Sequence, residues 1–95
     1  MAETENPVVD NAADHRYELT EKGLTAFATY HRHAGHISIP HVEAPPALQG
    51  TGAAGRLMEG IVAHARAERT KLLPLCPYAA AWLQRHPEHQ DIVLG

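Results

Sequence analysis

The order of apolar and polar residues predicts three successive strands in the first half of the chain. Residues 16–19 have a short strand-like pattern that ends in a turn containing Gly23. Residues 24–33 are rich in threonine and aromatic side chains, and residues 36–42 alternate between apolar and polar. Two residues separate these last two segments, which is the length of a tight hairpin turn. We therefore expect an antiparallel meander.

The third predicted strand contains a proline and a histidine that bear on its geometry. Side chains alternate along a strand, so Ile37, Ile39 and His41 are expected to share one face. Pro40 has no N–H to donate to a ladder, and it therefore marks either an edge strand or a bulge.

A helix dominates the pattern of the second half. Between residues 52 and 69, apolar side chains recur at helical spacing and are expected to form a buried stripe of Ala54, Leu57, Met58, Ile61, Val62 and Ala65. Residues 71–75 are predicted to be a short strand, and a strand–helix–strand order implies a right-handed crossover with parallel or mixed pairing. Pro77 suits the first turn of a second helix over residues 78–85, with a further turn at 86–88 and a terminal strand or tail at 92–94.

Together these elements predict an α/β fold: an antiparallel meander joined to a parallel strand, one long helix, and one or two short C-terminal helices. Residues 1–13 are polar and acidic and are predicted to be a flexible tail, in which Val8 and Val9 dock at most loosely. Residues 14–95 are then expected to form a single domain, since a chain of 95 residues has little room for a second.

Composition and charge exclude several classes of protein. No apolar run approaches the roughly 18 residues that a membrane span needs, and the acidic start lacks the features of a signal peptide. The net charge of -3 argues against a dedicated nucleic-acid binder, which usually carries a basic patch. One cysteine, Cys76, permits no internal disulfide, and a chain this small without such links is expected in the cytosol.

The segment from Gln49 to Ala54 is a glycine-rich turn that leads directly into the predicted long helix. Glycines let a backbone approach a ligand closely, and the first turn of a helix offers unpaired N–H groups that favour an anion. The spacing fits neither a dinucleotide-binding fingerprint nor a Walker loop. Local chemistry leaves two interpretations open: a phosphate site, or glycines that only allow tight packing of the helix.

The glycine turn and three further motifs, one before it and two after it, resemble those of a known family. Gln49-x-x-Gly52-x-Ala54 resembles the Q/R-x-x-G-x-G/A signature of the GCN5-related N-acetyltransferases. Residues 16–93 are similar to the small single-domain branch of that superfamily, whose marks occur here as His41-Val42-Glu43-Ala44-Pro45, Pro74-Leu75-Cys76-Pro77-Tyr78 and His86-Pro87-Glu88-His89. Val42 and His89 depart from the family pattern, which often has threonine and an aromatic residue at these positions.

The resemblance implies a minimal acetyltransferase fold, acetyl-CoA as cosubstrate, and transfer of the acetyl group to an amine of a small molecule or a protein. The pyrophosphate would lie on the turn formed by Gln49, Gly50, Thr51, Gly52, Ala53 and Ala54. A bulge at Pro40 would let two parallel strands separate, so that the pantetheine arm pairs with the backbone of Val42, Glu43 and Ala44. The thioester would arrive near Cys76 and His41.

Four residues are candidates for the chemistry, and each has an ordinary structural alternative. Cys76 stands between an apolar strand and a helix start, where a thiolate is favoured, yet free cysteines are often simply buried. His41 is a candidate base that Glu43 orients or replaces, although a lone histidine is more often only packed. Tyr78 is a candidate donor to the leaving thiolate, or it packs on its helix with a solvated hydroxyl.

The remaining histidines are candidates for a metal site. His31 and His33 share a predicted strand face and His36 lies across the hairpin, but zinc sites often include cysteine, and Cys76 is about 40 residues away. We therefore predict scattered surface histidines and no metal site.

Besides acetyl transfer, two functions stay open: a non-catalytic module that binds CoA, and a sensor that uses the Cys76 thiol.

Overall fold

The computed structural model describes residues 6–94, which form a five-stranded sheet with two α-helices. The strands are β1 (Val9–Asn11), β2 (Arg16–Glu21), β3 (Leu24–His33), β4 (His36–Glu43) and β5 (Lys71–Pro74). The helices are α1 (Ala53–Glu68) and α2 (Pro77–Gln84), with short 3-10 helices at Ala12–Asp14, Pro46–Leu48 and Pro87–Ile92. The strands follow chain order in the sheet, antiparallel from β1 to β4, and β5 pairs parallel to β4. This confirms the predicted α/β fold.

The core lies between α1 and one face of the sheet. Alternate positions of β2 and β3 are fully buried there, namely Tyr17, Leu19, Ala26, Ala28 and Tyr30. The predicted stripe of α1 is buried except at Ala54, whose place in the core is taken by Ala53. The opposite side of the sheet carries Arg16, Phe27 and Thr29, none of which is fully buried; we call it the open face.

The sheet begins earlier in the chain than the sequence predicts. Residues 1–5 lie outside the described residues, but Val9–Asn11 pair with β2, although residues 1–13 are predicted to be a flexible tail. Val8, which was expected to dock at most loosely, is only 1% exposed. The ordered part of the chain therefore starts before residue 14.

Contacts with α1 explain why this segment is ordered. The Asn6 side chain donates a hydrogen bond to the carbonyl of Gly60 and accepts one from the N–H of Val8. The ring of His64 donates to the carbonyl of Val8. Because Asn6 and Gly60 are 54 residues apart, no local pattern in the sequence reveals these bonds.

Gly60 is the point where the N-terminal segment touches α1, and a larger residue does not fit there. A Cβ atom at this position would lie 2.1 Å from Cγ2 of Val8. We expect Gly60→Ala to lower the free energy of unfolding by about 1–3 kcal/mol through overpacking. The loss should appear in urea unfolding even though alanine is intrinsically about 1 kcal/mol better than glycine inside a helix.

A double-mutant cycle with Val8→Ala checks the cause of this loss. The two substitutions together should destabilise the protein less than the sum of the single effects, because each removes part of the same clash. A Gly60→Ala protein that is as stable as the original chain would show that residue 8 does not pack here.

Pro40 lies in a β-bulge, at the point where β4 loses one of its two neighbours. The pairing of β4 with β5 ends at Ile39, so within residues 6–94 Pro40 has a neighbouring strand only on the β3 side. The pairing of β4 with β3 shifts between Thr29 and His31, where two residues of β4, Ile39 and Pro40, stand opposite a single residue. Both features that the proline predicts, a bulge and a free strand edge, therefore occur at this position.

The extra residue reverses the direction of the side chains that follow it. Ile37 pairs with Arg32, whereas His41 pairs with Thr29, and positions three apart on β3 point to opposite faces. The prediction that His41 shares a face with Ile37 and Ile39 is therefore wrong. The two isoleucines are buried, while the His41 side chain is 56% exposed on the open face.

The C-terminal part of the chain covers the outer edge of β5 and packs beside α1. Val93 forms an isolated parallel bridge with Leu72, and the N–H of Leu94 donates to the Leu72 carbonyl at 2.8 Å. The ring of His86 stacks on that of Trp82, with 3.8 Å between their centroids.

No helix in the described part of the chain is long and apolar enough to cross a membrane.

Tyr17 makes the fold sensitive to high pH. Its hydroxyl oxygen is buried and has no hydrogen-bond partner within residues 6–94. Burial raises the pKa of Tyr17 well above the ordinary value of 10.0. Above that pH the unfolded chain releases a proton that the folded protein retains, so the free energy of unfolding is expected to fall by about 1.4 kcal/mol per pH unit.

Tyr17→Phe is the matched variant for this effect, because it removes only the buried hydroxyl. We expect it to be at least as stable as the original chain near neutral pH, since an unsatisfied polar group is lost. Between about pH 10 and pH 11 its urea midpoint should fall less steeply. An equal fall in both proteins would assign the alkaline sensitivity to another group.

Candidate functional site

β4 and β5 separate at one end, and the separation opens a slot in the sheet. Their parallel pairing ends at Ile39 and Pro74. The N–H groups of Leu75 and Cys76 both donate to the carbonyl of Ile39, at 3.0 and 2.9 Å, and the chain then turns into α2. Beyond this point β4 continues to Glu43 with β3 on one side and, in the described residues, no strand on the other. A length of backbone edge is therefore available to a ligand.

A groove of about 390 Å³ lies between the unpaired end of β4 and the start of α1. Its walls are the end of β4 at Val42 and Ala44, the turn between Gln49 and Gly55, and the side chain of Tyr78. The volume lies within the usual range for small-molecule sites, which is about 300–1,000 Å³. The structure thus brings most of the predicted cosubstrate-binding residues into one cavity; Glu43, Thr51 and Cys76 are not among those that line it.

Two glycines give the turn its shape. Gly50 and Gly52 have φ angles of 82° and 88°, a left-handed conformation that other residues adopt only with strain. Gly52 is the residue that precedes α1, and the N–H groups of Ala54 and Gly55 find no acceptor within residues 6–94. These two residues line the groove, so the turn has the free donors that a phosphate binds.

The glycines of this segment have different structural roles. Gly55 allows tight packing, since a Cβ there would lie 3.3 Å from the indole nitrogen of Trp82 on α2. Gly50 and Gly52 instead permit the left-handed turn that exposes the backbone. A sequence pattern treats the three glycines alike, because the side chain that packs against Gly55 belongs to α2, about 30 residues further along the chain.

Side chains tie the turn to the end of β4. The amide of Gln49 donates to the carbonyl of Ala44 at 3.0 Å, and both residues line the groove. The hydroxyl of Thr51 donates to the carbonyl of Leu48 and accepts from the N–H of Ala53. Gln49 and Thr51 therefore hold the turn in place from within.

Arg56 supports the same turn from outside, which the sequence did not indicate. Its guanidinium donates to both carboxylate oxygens of Glu21, each at 2.7 Å, and to the carbonyl of Thr51 at 3.2 Å. The ion pair lowers the pKa of Glu21 and raises that of Arg56. Since 35 residues separate the two partners, Arg56 looks in the sequence like any basic residue on a solvated helix face.

Cys76 is positioned where β4 and β5 separate. It immediately precedes α2, its N–H donates to Ile39, and its carbonyl accepts from the N–H of Ala80. The residue is 6% exposed, so its thiol is shielded from bulk solvent by the surrounding structure. Both the site reading and the buried-hydrophobe reading of Cys76 are consistent with this position.

Tyr78, the second residue of α2, lines the groove and is 37% exposed. Partial burial raises the pKa of its phenol, an effect that the positive charge of Arg85 partly offsets. The phenol therefore stays protonated at neutral pH and is able to donate a hydrogen bond into the groove.

His41 and Glu43 lie on the open face, on the other side of β4 from the groove. Nε2 of His41 and Oε1 of Glu43 are 2.9 Å apart, and both side chains are more than half exposed. Val42 and Ala44, which alternate with them, line the groove instead. The predicted site is thus divided: one side of β4 offers a ligand groove, and the other offers an imidazole held by a carboxylate.

One acidic cluster in the described part of the chain resembles a metal site. Donor atoms of Glu59, Glu88 and His89 lie within 4.8 Å of one another. However, Arg66 donates to Nδ1 of His89 at 3.2 Å, so Nδ1 holds the lone pair and the neutral ring carries its proton on Nε2, facing Glu59. No nitrogen of this ring is free for a metal, and we interpret the cluster as a hydrogen-bond network.

Comparisons with known proteins identify relatives of this fold. The family described as GCN5-related N-acetyl-transferase matches residues 16–92. A GCN5-like protein from Staphylococcus aureus, determined in solution by NMR, has a similar structure with a TM-score of 0.67. The two sequences are 24% identical, and the match covers 97% of this chain and 92% of the other, so it establishes the fold alone. No curated protein matches the chain.

Proposed function

Since the chain belongs to the GCN5-related N-acetyltransferase family, we propose that it binds acetyl-CoA and transfers the acetyl group to an amine. The observation that supports this most directly is the groove beside the unpaired edge of β4. Its turn carries two left-handed glycines and the free N–H groups of α1, which suits a pyrophosphate followed by an amide-containing arm. We also propose, from the cysteine content, that the protein acts in the cytosol.

The residues present fit acetyl-CoA along the whole groove. The pyrophosphate would be held by the turn from Gln49 to Ala54 and the adjoining N–H of Gly55. The pantetheine amides would pair with the backbone from Val42 to Ala44. The sulfur end would then lie where β4 and β5 separate, next to Cys76.

Bound acetyl-CoA supplies an acyl group that is already activated as a thioester. The chain would supply proton transfer. On the open face, His41 would accept the proton of the acceptor ammonium while Glu43 orients the ring. From the groove side, the protonated phenol of Tyr78 would donate to the departing sulfur. In this proposal the slot between β4 and β5 would connect the two sides, and the acceptor and the cosubstrate would approach from opposite faces of the sheet.

Mass spectrometry after incubation with acetyl-CoA distinguishes direct transfer from a route through Cys76. In the covalent route the Cys76 sulfur bonds to the acetyl carbon, the bond between the acetyl carbon and the CoA sulfur breaks, and the thiol proton leaves with CoA. An added acetyl group on Cys76 that disappears when an amine is supplied would support this route. A turnover-competent protein that never carries the group would establish direct transfer.

Calorimetric titration with acetyl-CoA tests the proposed function itself. We expect one site per chain, and an acetylated product when a panel of amines is added. Absence of binding would overturn the proposal and would favour a thiol sensor. Binding without turnover of any amine would favour the non-catalytic module, in which the groove is retained but His41 and Glu43 are only surface groups.

A further inference from the structure

The β3–β4 hairpin carries three histidines on the open face. His33 and His36 are directly paired across the two strands, and His31 lies two residues before His33 on β3. Since the bulge affects only β4 and lies beyond this pair, all three side chains point to the same side of the sheet. His31 and His33 are exposed, and His36 is half-buried.

Two of the rings are already side by side. The centroids of His33 and His36 are 4.4 Å apart and their planes differ by 11°. Zinc holds imidazole nitrogens at about 2.0–2.1 Å in a tetrahedron, which places two ligand nitrogens about 3.3–3.4 Å apart. The stacked rings lie in nearly parallel planes, so the two side chains have to turn about their χ bonds before both nitrogens point at one ion.

The second nitrogen of His33 has the kind of partner that metal ligands usually have. Nε2 of His33 and the hydroxyl of Ser38 are hydrogen-bonded at 3.1 Å, and Ser38 is buried. If Nε2 donates this bond, the lone pair of Nδ1 is left for a metal, and the ring is fixed in the required tautomer. This differs from His89, where an arginine occupies the nitrogen that would have to remain free.

Two cations close to the hairpin in the sheet have other partners. Lys71 pairs with His36 in the sheet, but its ammonium donates to the carbonyl of Asp91 at 2.9 Å. Arg32 points to the other face, where it forms ion pairs with Asp10 and Glu68, each at 2.7 Å. A divalent ion at the three histidines would therefore meet little direct repulsion.

We propose that His31, His33 and His36 bind a divalent transition-metal ion such as Zn²⁺ or Ni²⁺, with water completing its coordination. Three imidazoles are a sufficient set for such ions, and cysteine is not required. The site contains no residue of the proposed acetyl-CoA groove and does not depend on acetyl transfer. It departs from the sequence prediction, which placed these histidines on the same hairpin but expected no metal site because Cys76 is far away.

Calorimetric titration of the untagged chain with NiCl₂ or ZnCl₂ measures this site. We expect one ion per chain, and each of His31→Ala, His33→Ala and His36→Ala to weaken binding by about tenfold or more. His15→Asn is the matched control, because it removes an exposed histidine elsewhere. His15 has a φ of 55°, which asparagine tolerates, so this variant should bind the metal as the original chain does.

Amide NMR spectra provide a second measurement of metal binding, one that does not rely on the heat of binding. Added Ni²⁺ should broaden the signals of Ala34 and Gly35 first, since they form the hairpin turn between His33 and His36. The same spectra show whether each variant remains folded. Binding that persists in H33A/H36A, broadening that begins elsewhere, or a dissociation constant weaker than about 1 mM would overturn the proposal.

Discussion

Replacing His41 with alanine is expected to lower kcat for acetyl transfer by about 10²- to 10⁴-fold, the usual contribution of a positioned general base. His41 is the imidazole at the separation of β4 and β5, two residues beyond the carbonyl that accepts from both Leu75 and Cys76. In the proposed mechanism it removes the proton that keeps the acceptor amine from attacking. Affinity for acetyl-CoA, measured by calorimetry, should change little, because the His41 side chain lies outside the groove.

Two further measurements separate a base from a merely structural histidine. Added imidazole should restore part of the rate of His41→Ala, since it supplies the missing base in solution. Glu43→Gln should have a smaller effect, because the amide still accepts a hydrogen bond from the ring and retains its orientation. If His41→Ala turns over as fast as the original chain, the role assigned to this histidine is wrong and Glu43 becomes the candidate.

Gly52→Ala is expected to weaken acetyl-CoA binding by about tenfold, equivalent to 1.4 kcal/mol. Gly52 precedes α1 with a φ of 88°, and a non-glycine residue there is strained by about 1–2 kcal/mol. The added Cβ would also lie 3.0 Å from Nη1 of Arg56, so the contact between Arg56 and the carbonyl of Thr51 would have to shift. Relaxation of the turn would then misalign the N–H groups that we assign to the pyrophosphate.

Gly23→Ala is the matched control for Gly52→Ala. Gly23 has a similar φ of 75°, but nothing lies within 4 Å of a Cβ built there, and the residue is in the β2–β3 turn. Both variants should lose a similar free energy of unfolding, measured in urea, while only Gly52→Ala loses affinity for acetyl-CoA. Equal affinities in the two variants would show that the turn before α1 does not hold the cosubstrate.

Local patterns predicted most elements of the fold. Segments predicted at residues 24–33 and 71–75 correspond to β3 and β5, and the helix predicted between 52 and 69 corresponds to α1. Alternation, helical periodicity, glycine and proline act within a few residues, so a single sequence displays them directly. The family resemblance predicted from three motifs over residues 16–93 is confirmed by the match over residues 16–92.

The sequence by itself determined the α/β fold, the glycine turn and the family. Only the tertiary structure decided the features that rest on contacts between distant residues: the docking of Val8 on α1 and the ion pair between Glu21 and Arg56. The bulge at Pro40 shows the reason most clearly. Whether a proline in a strand marks an edge or a bulge depends on which strands lie beside it, and one extra residue places His41 on the open face, away from Ile37 and Ile39.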